Sequence, residues 1–305
     1  MNQIDRINLK TNDAEAEVLL AGGCLANYRL VLGDDGIDLL RPCGGCQDGT
    51  FSPLETASFP LIPYSNRIRN GSFRFAEQAY QLPLNFGDHP HSIHGVAWQA
   101  SWRAIETTAE KAVIELDYRS GDWPFSFRAI QSFELTGAVL RQEIAVTNTD
   151  DVPTPAGLGV HPYFPRHGGA VLKAEVGFVW LTDETCLPTE RMACPPKWNL
   201  GHGIDVDRLL CDNQFEPWNG QASVTWPEQG LSLDLEACGD LDRLVVYAPE
   251  GEDFFCVEPV SHITDAFNRT AEGMTPEASG MRILAPGETW RVWLQLKPKP
   301  KPKPT

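Results

Sequence analysis

The sequence predicts an all-β protein, a large antiparallel β-sandwich, and three observations carry that prediction. Apolar residues recur at every second position in run after run. No stretch of a dozen residues shows an apolar stripe of helical period. Glycine (26) and proline (24) punctuate the runs, and no helical segments alternate with them as a βαβ chain would require.

The elements follow in chain order. A short turn is expected near Leu54–Ala57. Asn70-Gly71 is a hairpin-type turn signal leading into a strand at Ser72–Phe75. Period-2 runs then cover Ala112–Tyr118, Phe127–Leu135 and Leu140–Asn148, and later Leu231–Glu236 and Leu244–Ala248. Phe254-Phe255-Cys256-Val257 is a continuous apolar run, and a second short turn is expected near Asp265–Arg269. In T-W-R-V-W-L-Q-L, Trp290, Val292, Leu294 and Leu296 face one way, while Thr289, Arg291 and Gln295 face the other. That pattern is a strand with one buried face. With no repeat and no linker in view, residues 1–296 read as one domain. Residues 297–305, K-P-K-P-K-P-K-P-T, read as a disordered, mobile tail, because alternating proline removes backbone donors.

The 305 residues include 42% hydrophobic ones, enough for a substantial core, and the net charge is −16. An acidic surface repels phosphate backbones, so a nucleic-acid partner is not expected. No apolar run approaches a membrane span, and the N-terminus lacks a secretory signal. A cytoplasmic enzyme, monomeric or homodimeric, is the expectation. The eight cysteines are scattered and read as free thiols; Cys43 and Cys46 have C-x-x-C spacing but no second pair, and read as turn cysteines.

Four segments hold side chains suited to chemistry. P-Y-S-N-R-I-R-N-G-S-F (63–73) offers Asn66, Arg67 and Arg69, and a planar guanidinium suits the hydroxyl oxygens of a ligand. H-P-H-S-I-H-G-V-A-W (89–98) offers His89, His91 and His94. Three histidines invite a metal, but no further ligand cluster sits at a recognisable spacing, so no metal site is expected. His94 instead precedes Gly95, where a ligand could approach the backbone, and Trp98 offers an apolar platform. G-L-G-V-H-P-Y-F-P-R (157–166) holds His161, kept extended by Pro162, with Tyr163 as part of an aromatic wall. V-E-P-V-S-H-I-T-D-A-F-N (257–268) places Glu258 after an apolar run, and a buried carboxylate is costly unless paired or used.

Together, and in this order, N-R-I, H-G, H-P-Y-F and the late glutamate strand resemble the aldose 1-epimerase (galactose mutarotase-like) family over roughly residues 60–270. The resemblance implies a supersandwich with an open cleft on one sheet. It implies a monosaccharide substrate whose α and β anomers are interconverted, with no metal and no redox cofactor. By position, Glu258 corresponds to the catalytic base and His161 to the acid that protonates the ring oxygen. His94 and Arg67 correspond to substrate-binding residues, with Asn66, Tyr163 and Trp98 beside them. Asp212, in L-L-C-D-N-Q-F, matches an aspartate that binds sugar hydroxyls. The chain departs from the family at Val96, Val160, Pro162 and Pro63-Tyr64, positions that bear on which sugar fits. A hexose 6-phosphate epimerase, using Arg69 or Arg166 for the phosphate, and a non-catalytic sugar-binding protein are the alternatives. Glycoside hydrolysis would need a second opposed carboxylate, such as Asp212 or Asp265. For the two proton transfers to proceed together, Glu258 must be ionised and His161 protonated. Nearby carboxylates are expected to raise the histidine's pKa for that purpose.

Overall fold

A computed structural model describes residues 5–32, 35–44 and 52–300. Eighteen of its strands join in one continuous hydrogen-bonded network, most of which forms two antiparallel sheets. The first sheet runs, in spatial order, Arg103–Thr107, Lys111–Tyr118, Phe127–Thr136, Val139–Asn148, Thr289–Pro300 and Leu231–Ala237. The second runs Arg6–Lys10, Ala14–Leu19, Leu25–Leu32, Ser58–Leu61, Gly159–Pro165, Phe254–Val260 and Arg243–Ala248. The long strand Cys211–Trp226 belongs to both: its start pairs with Arg243–Ala248 and its end with Leu231–Ala237.

Alternation builds the shared core. Ile144, Val292 and Leu294 come from the first sheet and meet Val160, Phe164, Leu244 and Val257 from the second. The period-2 runs of the sequence are strands within a residue or two of their expected bounds. Among the described residues α-helix is confined to Ala266–Ala271 and Pro276–Ser279, and Pro53–Glu55 is one of several short 3₁₀ turns. Among the described residues no helix is long and apolar enough to cross a membrane.

The second sheet differs from the first in that four of its strands, Ser58–Leu61, Gly159–Pro165, Phe254–Val260 and Arg243–Ala248, are covered on both faces. Phe255 and Val257 point to the inter-sheet core. Cys256 and Val260, on the other face, join Phe59, Leu61, Tyr163 and Val245 in a second apolar cluster. Glu258 shares that outer face by alternation, and so does His161 between Gly159 and Tyr163.

Three expectations need correction. The Lys/Pro segment is not a free tail from residue 297: Lys297–Pro300 pair with Leu231–Asp234. The strand partner on the other side ends at Leu296. Prolines at every second position therefore turn their missing N–H groups toward an edge that needs none, while Lys297 and Lys299 pair with Glu236 and Asp234. Residues 301–305 lie outside the described residues. Second, Cys43 is disulfide-bonded, while six cysteines are free; Cys46 lies outside the described residues. Third, Asn70-Gly71 does turn the chain (φ 53° and 64°), but the hairpin between Ser72–Phe75 and Gln78–Gln81 turns at Ala76-Glu77 (φ 47° and 64°).

Candidate active site

Strand register brings the acid–base candidates together. Gly159 lies opposite Val260 and Tyr163 opposite Cys256, so His161 falls opposite Glu258. Their side chains meet on the outer face, with Nε2 of His161 3.3 Å from Oε1 of Glu258. Both are almost wholly buried, at 7% and 2% exposure. The other Glu258 oxygen and His161 Nδ1 are buried without a hydrogen-bond partner. Unspent polar atoms in an apolar wall are costly, and a ligand's hydroxyl groups would relieve that cost.

Aromatic rings clamp the imidazole. It stacks on Phe59 (centroids 4.5 Å apart) and on Tyr163 (4.7 Å). Phe59 in turn stacks on Trp98 at 5.4 Å, and the Arg41 guanidinium covers the far face of Tyr163 at 3.8 Å. A cation over a ring face is attracted by its quadrupole. Trp98 is 2% exposed, with its indole N–H donated to the Gly95 carbonyl. It is therefore not the open platform the sequence suggested. It backs Phe59, and Phe59 and Tyr163 flank the histidine. Nothing in the sequence singled out Phe59 or Arg41.

The polar side of the site comes from two turns. Arg67, in the short strand Arg67–Ile68, pairs with Ile93. One step beyond, the backbone N–H of Asn66 donates to His94 Nδ1 at 3.1 Å, and the His94 N–H donates to the Asn66 carbonyl at 2.9 Å. Both residues are left-handed, with φ of 56° and 61°. Because Nδ1 accepts, a neutral His94 carries its proton on Nε2. Arg67 donates to Asn66 Oδ1 (2.9 Å), to Asp212 Oδ2 (3.3 Å) and to His89 Nε2 (3.4 Å). Asp212 lies near the start of the long strand shared by both sheets, and His94 meets His161 edge to face at 5.2 Å. The structure thus gathers Glu258, His161, His94, Asn66, Arg67 and Asp212 around one face, with Tyr163 beside them.

Arg69 is directed elsewhere. It pairs with Asp265 at 2.8 Å and Glu272 at 3.1 Å. Arg166 pairs with Asp207 and donates to the Pro249 carbonyl. His91 accepts from the Asn70 N–H and contacts Thr185. Asp265 is bound to Arg69 and Asn268.

The electrostatics reverse one expectation. Burial lowers the His161 pKa to about 3, and the positive charges of Arg41 and Arg67 act in the same direction. Burial raises Glu258 well above the usual carboxylate range; Asp212 adds to the rise and Arg67 opposes it. His94 is likewise pushed well below the ordinary histidine value, first by burial and then by His161 and Arg67. Nearby carboxylates therefore do not hold His161 protonated. Burial thus favours the neutral form of each member of the pair.

A galactose-mutarotase-like sandwich with a buried carboxyl–imidazole pair on one sheet face is the class of protein this architecture defines. Residues 5–297 match the aldose 1-epimerase family, and the chain belongs to that family. It is 30% identical to the Escherichia coli K12 protein YphB, itself functionally uncharacterised, over 263 residues covering 84% of this chain and 87% of that one. It is similar to the crystal structure of a candidate aldose 1-epimerase from the same organism (27% identity, TM-score 0.85, 97% and 99% of the two chains). A galactose mutarotase-like protein from Clostridium acetobutylicum shares the fold at 22% identity and TM-score 0.82, over 97% and 96% of the chains.

Proposed function

We propose that this protein is an aldose 1-epimerase that interconverts the α and β anomers of a free hexose by opening and closing the sugar ring. The observation that carries the reading is the 3.3 Å contact of His161 with Glu258. In a pyranose the anomeric hydroxyl oxygen and the ring oxygen are bonded to the same carbon. Proton removal at one and delivery at the other therefore need a base and an acid that stand side by side.

The exchange balances. Glu258, ionised, takes the anomeric hydroxyl proton while protonated His161 gives one to the ring oxygen, and the ring C–O bond breaks. The open aldehyde turns about C1–C2, and the two transfers run backward on its other face. Ring opening leaves the proton on Glu258 and His161 neutral. That is the protonation state burial favours in the free site, so the site is preset for the open-chain sugar. Binding the closed sugar requires the proton to cross the 3.3 Å gap. Each positioned transfer contributes about 10²–10⁴-fold in rate. Arg67, Asp212, His94 and Asn66 supply the donors and acceptors that hold the hydroxyl groups.

The free sugar is favoured over a 6-phosphate because Arg69 and Arg166, the cations named for that role, already serve carboxylates. Polarimetry on freshly dissolved α-D-glucose and α-D-galactose tests the proposal. Wild-type protein should speed mutarotation, and Glu258→Gln and His161→Asn should each slow it by roughly 10²–10⁴-fold. Acceleration of the 6-phosphate alone would move the assignment to that substrate. Binding without acceleration would make the protein a sugar-binding module. Near-wild-type turnover in either variant would overturn the two roles.

A further inference from the structure

Cys256 sits two residues before Glu258, on the same face of the same strand, and is fully buried. The acid–base exchange makes no use of it. Yet one ligating atom each from His161, Cys256 and Glu258 lie within 4.8 Å of one another, the one such trio among the described residues. We propose that these three side chains form a binding site for a borderline-soft divalent cation, zinc above all, and that its occupation shuts off the acid–base pair.

Ligand chemistry selects the ion. A sulfur and an imidazole nitrogen favour zinc, cobalt or cadmium over magnesium and calcium, which prefer all-oxygen shells. Metal–ligand bonds of 2.0–2.3 Å in a tetrahedron place ligand atoms roughly 3.3–3.7 Å apart. His161 and Glu258 are already at 3.3 Å, so closing the trio needs side-chain movement of roughly 1 Å. Three protein ligands leave a fourth position open.

Charge balance supports the assignment. A thiolate and a carboxylate neutralise a dication, and an imidazole binds it as a neutral base. The resulting cluster has no net charge in an apolar wall. A bound dication displaces the thiol and carboxyl protons to solvent. Access is by the route a sugar must take to reach Glu258 and His161. The inhibitory consequence rests on the epimerase reading; the binding does not.

Cobalt is the probe. Titrating Co²⁺ into the full chain should produce near-ultraviolet thiolate-to-metal absorption saturating at one equivalent and displaced by zinc. Cys256→Ala, and the isosteric Cys256→Ser as a second variant, should lose it while retaining metal-free turnover. The other five free thiols among the described residues are common to all samples and serve as an internal control. Zinc should slow mutarotation reversibly by chelator, and either variant should need at least about 10-fold more zinc. Cobalt absorption, or zinc uptake in equilibrium dialysis, that is identical in wild type and both variants would overturn the site. If the protein moves no sugar anomer at all, the cobalt spectrum still decides the metal site and only the epimerase reading falls.

Discussion

His262 pins Ser65 from inside the fold: its Nε2 accepts the Ser65 backbone N–H at 2.9 Å while its Nδ1–H donates to the Ile263 carbonyl at 2.7 Å. The ring is 2% exposed, and burial pushes its pKa down to about 4. Ser65 immediately precedes Asn66 and Arg67. Gly157 fits against the ring so closely that an added Cβ would lie 1.9 Å from it. His262 therefore fixes the start of the turn that carries the hydroxyl-binding groups.

The sign of the pH effect follows from that geometry. An unfolded histidine titrates near 6.5, whereas native His262 stays neutral down to about 4. Between those values the unfolded chain binds the extra proton, so stability rises with pH. His262's contribution is complete above 6.5 and is lost as pH falls toward 4, amounting to about 3 kcal/mol. Gln at 262 supplies an acceptor but no titration. Urea unfolding at pH 4.5 and 7.5 should therefore show a smaller acid loss for His262→Gln than for wild type. Equal losses would mean that His262 does not titrate as described.

Arg67 should govern binding more than turnover. It holds Asn66, Asp212 and His89 in one fan of donors, and its side chain is 11% exposed. A charge-assisted hydrogen bond contributes about 1.5–3 kcal/mol. Arg67→Ala should thus raise KM by roughly 10–150-fold and lower kcat less, the signature of uniform binding. Lysine cannot span three acceptors with one ammonium, so Arg67→Lys should recover only part of the loss. A variant whose kcat falls and whose KM holds would place Arg67 in the chemistry instead.

Phe59 is expected to act through His161. The ring lies 4.5 Å from the imidazole and also stacks on Trp98. Phe59→Leu keeps most of the buried volume but removes both stacks, each worth about 0.5–1.5 kcal/mol. The expected result is a drop of roughly 1–3 kcal/mol in unfolding free energy. Steady-state kinetics should show up to about 10-fold lower kcat with KM held. Unchanged kcat in a destabilised variant would reduce Phe59 to a packing residue.

How far the sequence reveals this arrangement depends on how many faces a strand buries. Leu140–Asn148 and Trp290–Leu296 alternate because only one face meets the core, and their bounds can be read directly. Gly159–Pro165 and Phe254–Val260 bury both faces, so alternation vanishes and the reactive residues are found only through ordered short motifs. Arg41 was hidden because its significance is a contact with Tyr163 across the sheet, not a local pattern. Arg69 looked equivalent to Arg67, but the 3₁₀ turn at Arg69–Gly71 points it to Asp265. The charge state of His161 differs from the expectation because burial, with Arg41 and Arg67 beside it, disfavours the charged ring, and no spacing rule reports burial. The Lys/Pro strand was missed because its proline pattern suits a free edge that only topology creates.

Gly95 provides the strictest test of the local backbone. It has φ of +72°, and a Cβ there would lie 2.0 Å from the Ile62 carbonyl oxygen. That carbonyl accepts the N–H groups of Val96 and Ala97, so it cannot retreat without breaking the turn that presents His94. Gly287 has a similar φ of +77° but open space around it, which isolates the conformational part of the cost. Gly287→Ala should therefore cost about 1–2 kcal/mol, the left-handed penalty alone. Gly95→Ala should cost roughly 3 kcal/mol or more and raise KM, because His94 and Asn66 hold each other through the same backbone. Equal destabilisation of the two variants by urea denaturation would show that the Ile62 carbonyl yields, and that the H-G pair is kept for backbone freedom alone.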